Sequence, residues 1–96
     1  MYGDLRLHRA SRTLLKRGRH VDLAPKEFDL LLALVDRRGR NVPRLELLQI
    51  VWGYDASVVS RTVDTHVASL RRKLEDEPRA PRYVATSVKS GYRFIP

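Results

Sequence analysis

Ser60, Asp64 and His66 lie close together in the chain and have the side chains of a nucleophile, an orienting acid and a base. Helical geometry spoils the set. At 100° per residue Asp64 and His66 point about 200° apart, and Ser60 is better used as the cap that starts the helix. The histidines, at positions 8, 20 and 66, have no metal-ligand spacing to each other or to a paired carboxylate. Cysteine is absent, which removes disulfides, thiolate zinc sites and a thiol nucleophile together. The five glycines stand alone at 3, 18, 39, 53 and 91, so no phosphate-cradling loop is present. Without a nucleophile–base–orienter constellation, no enzyme activity, cofactor or metal is expected.

The same segment carries a different chemistry. Arg61, Thr65, Ala68, Ser69 and Arg72 share one side of the helix, two arginines beside three small residues. Small side chains let a helix backbone approach a surface closely. A DNA major groove, about 12 Å wide, accepts one helix that is slim and positively edged. Arg71, Arg72 and Lys73 lie toward the helix C-terminus, where cations also suit the macrodipole. Standing alone, that triplet would read as helix-end stabilisation.

The periodicity supplies the helix that these side chains need. Val63, Val67, Leu70 and Leu74 form one narrow apolar stripe after Ser60, and Glu75-Asp76-Glu77-Pro78 closes it. Upstream, Pro25 suits a first helical turn and Glu27 favours a helix N-terminus. Phe28, Leu31, Leu32 and Val35 follow the helical spacing, and Gly39 ends the segment. A second short helix starts near Pro43, with Leu45, Leu48 and Trp52 on one side and Gly53 as its stop. The loop that follows, Tyr54-Asp55-Ala56-Ser57-Val58-Val59, holds two valines unusual for a solvated connection. The first 23 residues read as a small antiparallel meander on Leu5/Leu7, Leu14/Leu15 and Val21/Leu23, turning at Arg9-Ala10-Ser11 and Arg17-Gly18. Tyr83 to Thr86 and Tyr92 to Ile95 read as two strands around a turn containing Gly91. The order is small sheet, three helices, terminal hairpin, in the α+β class.

Ninety-six residues, 1–96, make one domain of ordinary size. Apolar residues are 43% and charged residues 31%, a modest core under a charged skin, which argues against disorder. The longest apolar run, Leu30 to Val35, falls far short of the ~20 residues of a membrane span. No signal peptide is visible, so a soluble, cytoplasmic domain without membrane contact is expected. Nineteen Lys and Arg against eleven Asp and Glu leave +8. Residues 1–20 carry +5, residues 21–59 carry −1 and residues 60–96 carry +4. Nucleic acid is the default partner of so basic a domain; a basic surface with no specific ligand is the plainer alternative.

Several runs together resemble one family. Leu23-Ala24-Pro25-Lys26-Glu27-Phe28-Asp29-Leu30-Leu31 resembles the first-helix signature of the OmpR/PhoB-type effector domains of bacterial two-component response regulators. So do Leu47-Leu48 with Val51-Trp52-Gly53, the run Ser60 to Val67, Leu70-Arg71-Arg72-Lys73-Leu74, and Gly91-Tyr92-Arg93-Phe94. The resemblance covers about residues 3 to 95 with family spacing throughout. It implies a winged helix–turn–helix: a four-stranded N-terminal sheet, three helices, and a C-terminal β-hairpin wing. The third helix would enter the major groove of double-stranded DNA and the wing would reach the backbone or minor groove. Carried over by position, Arg61, Thr62, Thr65, His66, Ala68, Ser69 and Arg71 fall where members contact DNA, and Thr86 falls at a wing phosphate contact. Arg72 joins them from the helix face, and Lys89 from the wing. Tyr54, Asp55, Ala56, Ser57, Val58 and Val59 match the segment through which members touch RNA polymerase. The resemblance further implies a receiver domain answering a sensor histidine kinase, binding to direct repeats, and an isolated domain that is monomeric until it pairs on DNA.

The departures bear on specificity. Val88 and Lys89 stand where the family usually has Arg and then Gly, so the wing arginine is missing unless Lys89 replaces it. Ala68 and Ser69 stand where members commonly carry arginines, which makes bidentate readout of guanine less available there. Ala24 replaces a usual Thr cap, a loss of about 1 kcal/mol in capping. From these departures comes a rival reading, a protein-interaction module of the same fold with weak or non-specific DNA binding. A sensor region in place of the receiver is a third possibility.

Overall fold

The computed structural model describes residues 2–53, 57–87 and 91–95. The short apolar alternations of the first 23 residues form β1 (Leu5–His8), β2 (Thr13–Lys16) and β3 (Arg19–Val21), an antiparallel sheet in that order. Leu7, Leu14 and Val21 stand opposite one another across it, and Leu5 and Leu14 are sealed in the core. The two-residue turn between β2 and β3 has Arg17 at φ 51° and Gly18 at φ 79°, the pair of positive angles that a tight hairpin of right-twisted strands requires. Leu23 follows β3 as a loop residue packed on the core. The four-stranded sheet implied by the resemblance is a three-stranded one among the described residues; at Tyr2 only an isolated bridge to Leu5 forms.

Three helices follow: α1 (Pro25–Asp36), α2 (Arg44–Trp52) and α3 (Arg61–Leu74). The α1 stripe is wider than its spacing suggested. Leu30 and Leu34 are fully covered, beside Phe28, Leu31 and Val35, whereas Leu32 is only half-buried. The cause is position, for α1 packs against α2, α3 and the last strand at once. In α2 the expected row is replaced: Leu47 and Val51 face inward, Leu48 and Trp52 are half-buried, and Leu45 is 65% exposed. The α3 stripe of Val63, Val67, Leu70 and Leu74 is covered as its spacing demands. Ser60 does not cap it. The Ser60 backbone is already helical, at φ −58° and ψ −26°, with no capping bond from its hydroxyl. Instead the Val59 and Ser60 carbonyls accept from the N–H groups of Thr62 and Val63.

Beyond α3, Glu75 is 6% exposed, and its carboxylate accepts from the N–H groups of Arg82, Tyr83 and Val84. It thereby aims the chain into the hairpin of β4 (Val84–Thr86) and β5 (Tyr92–Phe94). The Val42 and Tyr92 backbones exchange hydrogen bonds of 2.8 and 3.0 Å, so the connection between α1 and α2 borders β5. Gly91 permits that approach: at φ +99°, a Cβ there would lie 2.0 Å from the Val42 carbonyl oxygen. Phe94 is fully covered, edge-on to Tyr2 and stacked on Tyr83. Sheet, three helices and hairpin form the winged helix–turn–helix that the sequence suggested. No helix among the described residues is long and apolar enough to cross a membrane.

Candidate nucleic-acid interface

The outward side of α3 carries Arg61, Thr65, Ala68 and Arg72, all exposed and spaced as one helical row. Among the described residues neither the Arg61 nor the Arg72 guanidinium has a hydrogen bond or ion pair, nor does that of exposed Arg93 on β5. The Thr65 hydroxyl donates to the Arg61 carbonyl at 3.2 Å.

Several other polar side chains of α3 bond to neighbouring elements. Ser69, expected on the outer face, donates its hydroxyl to the Glu27 carboxylate, and Lys73 reaches the other Glu27 oxygen at 2.6 Å. Glu27 is 4% exposed and also accepts from the Ala24 N–H at 2.8 Å. That bond offsets part of the loss of a capping hydroxyl at Ala24. Burial alone would push the Glu27 carboxyl up, but the bonds from Lys73, Ser69 and Ala24 hold it below its ordinary value.

Asp64 accepts from the Tyr92 hydroxyl at 2.5 Å and from Arg44 Nε at 2.6 Å. Against the upward push of burial, Tyr92 and Arg44 keep its carboxyl low, while burial and Asp64 together raise the Tyr92 phenol. His66 donates from Nδ1 to the Thr62 carbonyl at 2.8 Å and lies edge-on to Trp52, at 4.9 Å between ring centres. Asp64 and His66 therefore have separate partners, and no bond joins either to Ser60. Arg71 donates from Nε to the Val84 carbonyl at 3.0 Å and from its terminal nitrogen to the Thr86 hydroxyl at 2.7 Å. Its guanidinium also lies 5.5 Å from the centre of the Tyr92 ring. In the loop before α3, Ser57 and Val59 are exposed and Val58 is half-buried. Tyr54, Asp55, Ala56, Val88 and Lys89 lie outside the described residues.

Electrostatics sharpen the α3 face. Elsewhere Arg9 pairs with Asp36, Arg12 with Asp29, Lys16 and Arg17 with Asp76, and Arg37 and Arg40 with Glu46. Much of the N-terminal positive charge counted along the sequence is thus met by carboxylates from distant positions. Among the described residues Arg72 and Arg93 keep theirs, and Arg61 is met only by the field of Asp64 one turn on. Sequence reasoning overlooked Arg93, although the Tyr92-Arg93-Phe94 alternation places it outward on a strand. Glu27 was legible as a helix-start acid; its partners, some forty residues away, had no local signal. Among the described residues no group of three His, Asp or Glu is placed to hold a metal ion.

Residues 18–94 match the family described as "Transcriptional regulatory protein, C terminal". The chain is 40% identical over 95 residues to transcriptional regulatory protein AfsQ1 of Streptomyces coelicolor, covering 99% of this chain and 42% of that protein. Its structure is similar to that of the response regulator DrrB, a Thermotoga maritima OmpR/PhoB homolog. That match has a TM-score of 0.93 and 36% identity over 100% of this chain and 43% of DrrB. The DNA-binding domain of Klebsiella pneumoniae RstA, solved in complex with the RstA box, matches with a TM-score of 0.88 and 29% identity over 99% of this chain and 94% of that one. The chain therefore spans less than half the length of AfsQ1 and of DrrB.

Proposed function

The chain belongs to the family of C-terminal domains of transcriptional regulatory proteins, the OmpR/PhoB-type winged helices, and from that premise we propose that it binds double-stranded DNA sequence-specifically and regulates transcription at promoters. The observation that carries the reading is the exposed row on α3, Arg61, Thr65, Ala68 and Arg72, whose two end guanidinium groups have no hydrogen bond or ion pair among the described residues. α3 enters the major groove, Arg61, Arg72 and Arg93 meet phosphates, and Thr65 and Ala68 face base edges. Thr62 and His66 flank the row, and Thr86 with Lys89 extends the contact along the wing.

The domain 1–96 serves as the effector of a longer bacterial response regulator, whose receiver answers a histidine kinase in the cytoplasm. It pairs on direct repeats and meets RNA polymerase through residues 54–59. The greater length of AfsQ1 and DrrB supports this reading. Selection of bound DNA from a random library tests the core of it. Enrichment of one sequence family is expected, whereas a selected pool no better bound than the starting pool would favour the protein-interaction alternative.

A further inference from the structure

We propose that Arg71 is a positioning residue that locks the β4–β5 hairpin to α3 at a fixed angle, and that this lock, rather than a bond to DNA, is its part in binding. The inference rests on the DNA-binding reading above and deepens it. Among the described residues no backbone hydrogen bond joins α3 to the hairpin, so side chains must carry the join. The Val42–Tyr92 bridge and the Glu75 carboxylate hold the root of the hairpin, but each strand is only three residues long, so the lean of the strands on α3 is left to side-chain contacts. Arg71 grips both strands. Its Nε and a terminal nitrogen bond the Val84 carbonyl and the Thr86 hydroxyl on β4, and its guanidinium carbon lies over the Tyr92 ring on β5, 5.5 Å from the ring centre. Tyr92 is itself fixed, since its hydroxyl donates to Asp64, which Arg44 of α2 also holds.

This task requires a guanidinium. A planar fork donates in two directions while stacking on an aromatic face; an ammonium is a point charge on a flexible stem and cannot do both. A hairpin held rigidly to α3 meets DNA as an intramolecular second contact, whereas a loose one loses affinity to the entropy of its ordering. A phosphate contact and a lock therefore differ in what lysine can replace.

Arg71→Lys and Arg71→Ala decide between them. In DNA-free protein, residual dipolar couplings of the α3, β4 and β5 amides should fit one alignment tensor for the wild type and fail to do so for both variants. On the selected operator, both variants should lose affinity to a similar extent, about tenfold. An Arg71→Lys affinity closer to the wild type than to Arg71→Ala overturns the proposal, as do couplings that still fit one tensor. Should Arg71→Lys fail to fold, Thr86→Val removes one acceptor and leaves the charge; couplings indistinguishable from wild type would then overturn it. A wild type that selects no DNA sequence removes the functional reading, while the DNA-free couplings still decide the lock.

Discussion

Glu27 joins two helices through one carboxylate. It closes the first turn of α1 by accepting from Ala24 and holds α3 by accepting from Ser69 and Lys73. Its carboxyl titrates below the ordinary value in the folded protein. The stability it contributes is therefore present above the unfolded pKa and lost as acid takes the solution below about pH 4. Lys73 is 37% exposed, so its unpaired charge can return to water once the carboxylate is gone, which moderates the penalty. Glu27→Gln should lower stability by about 1–2 kcal/mol at neutral pH. In urea unfolding the gap to wild type should shrink as acid protonates wild-type Glu27 in turn, that is as the pH falls below the ordinary carboxylate range and through its lowered folded-state value; a gap independent of pH would remove the anchoring role. Nothing near position 27 names its partners, because a bond between residues 27 and 69 depends on how two helices cross. The sequence displayed the acid and hid the anchor.

At the scale of elements, α3 was the most legible part of the chain, since a four-residue apolar stripe leaves a single orientation for the opposite face. Thr65, Ala68 and the two flanking arginines emerge where 100° per residue puts them. Ser69 lies at the border of that face, and there a partner on α1 outweighs the projection. The two residues should thus separate in experiment. Thr65→Ala should change base preference by about 1–3 kcal/mol between matched and altered operators. Ser69→Ala should leave preference intact and lower stability by about 1 kcal/mol; equilibrium binding to an operator series and denaturant unfolding read the two effects. For α2 a nine-residue helix offers too few turns to fix its facing by pattern, and Leu45 emerged on the solvent side. In the preceding loop Val59 is 61% exposed, so Val59→Ser should spare the melting temperature and DNA affinity while impairing promoter activation in a reconstituted transcription assay. At the hairpin root Gly91→Ala meets both the Val42 carbonyl and a left-handed backbone angle. A loss of about 3 kcal/mol or more is expected in thermal unfolding.

For the whole molecule, charge counted along the chain gave the right sign and blurred the place. Both ends read as basic, yet Arg9, Arg12, Lys16 and Arg17 are met by acids that folding brings to them, and among the described residues arginines without a hydrogen bond or ion pair remain on α3, on β5 and, at Arg19, on β3. If one domain neutralises about six phosphates, log K should fall with log salt at a slope near −5. Affinity for the selected operator, titrated across salt concentrations, measures that slope, and a binding constant indifferent to salt would contradict the phosphate contacts. The bridge between Val42 and Tyr92 has a consequence for folding as well. It closes a loop of roughly fifty residues, an ordering cost met only when α1 and α2 are already docked. Neither partner backbone can then be released without opening the helical core. The wing root and the helices form a single cooperative unit, and the amide protons of Val42 and Tyr92 should exchange with deuterium together, at the slow pace set by global opening.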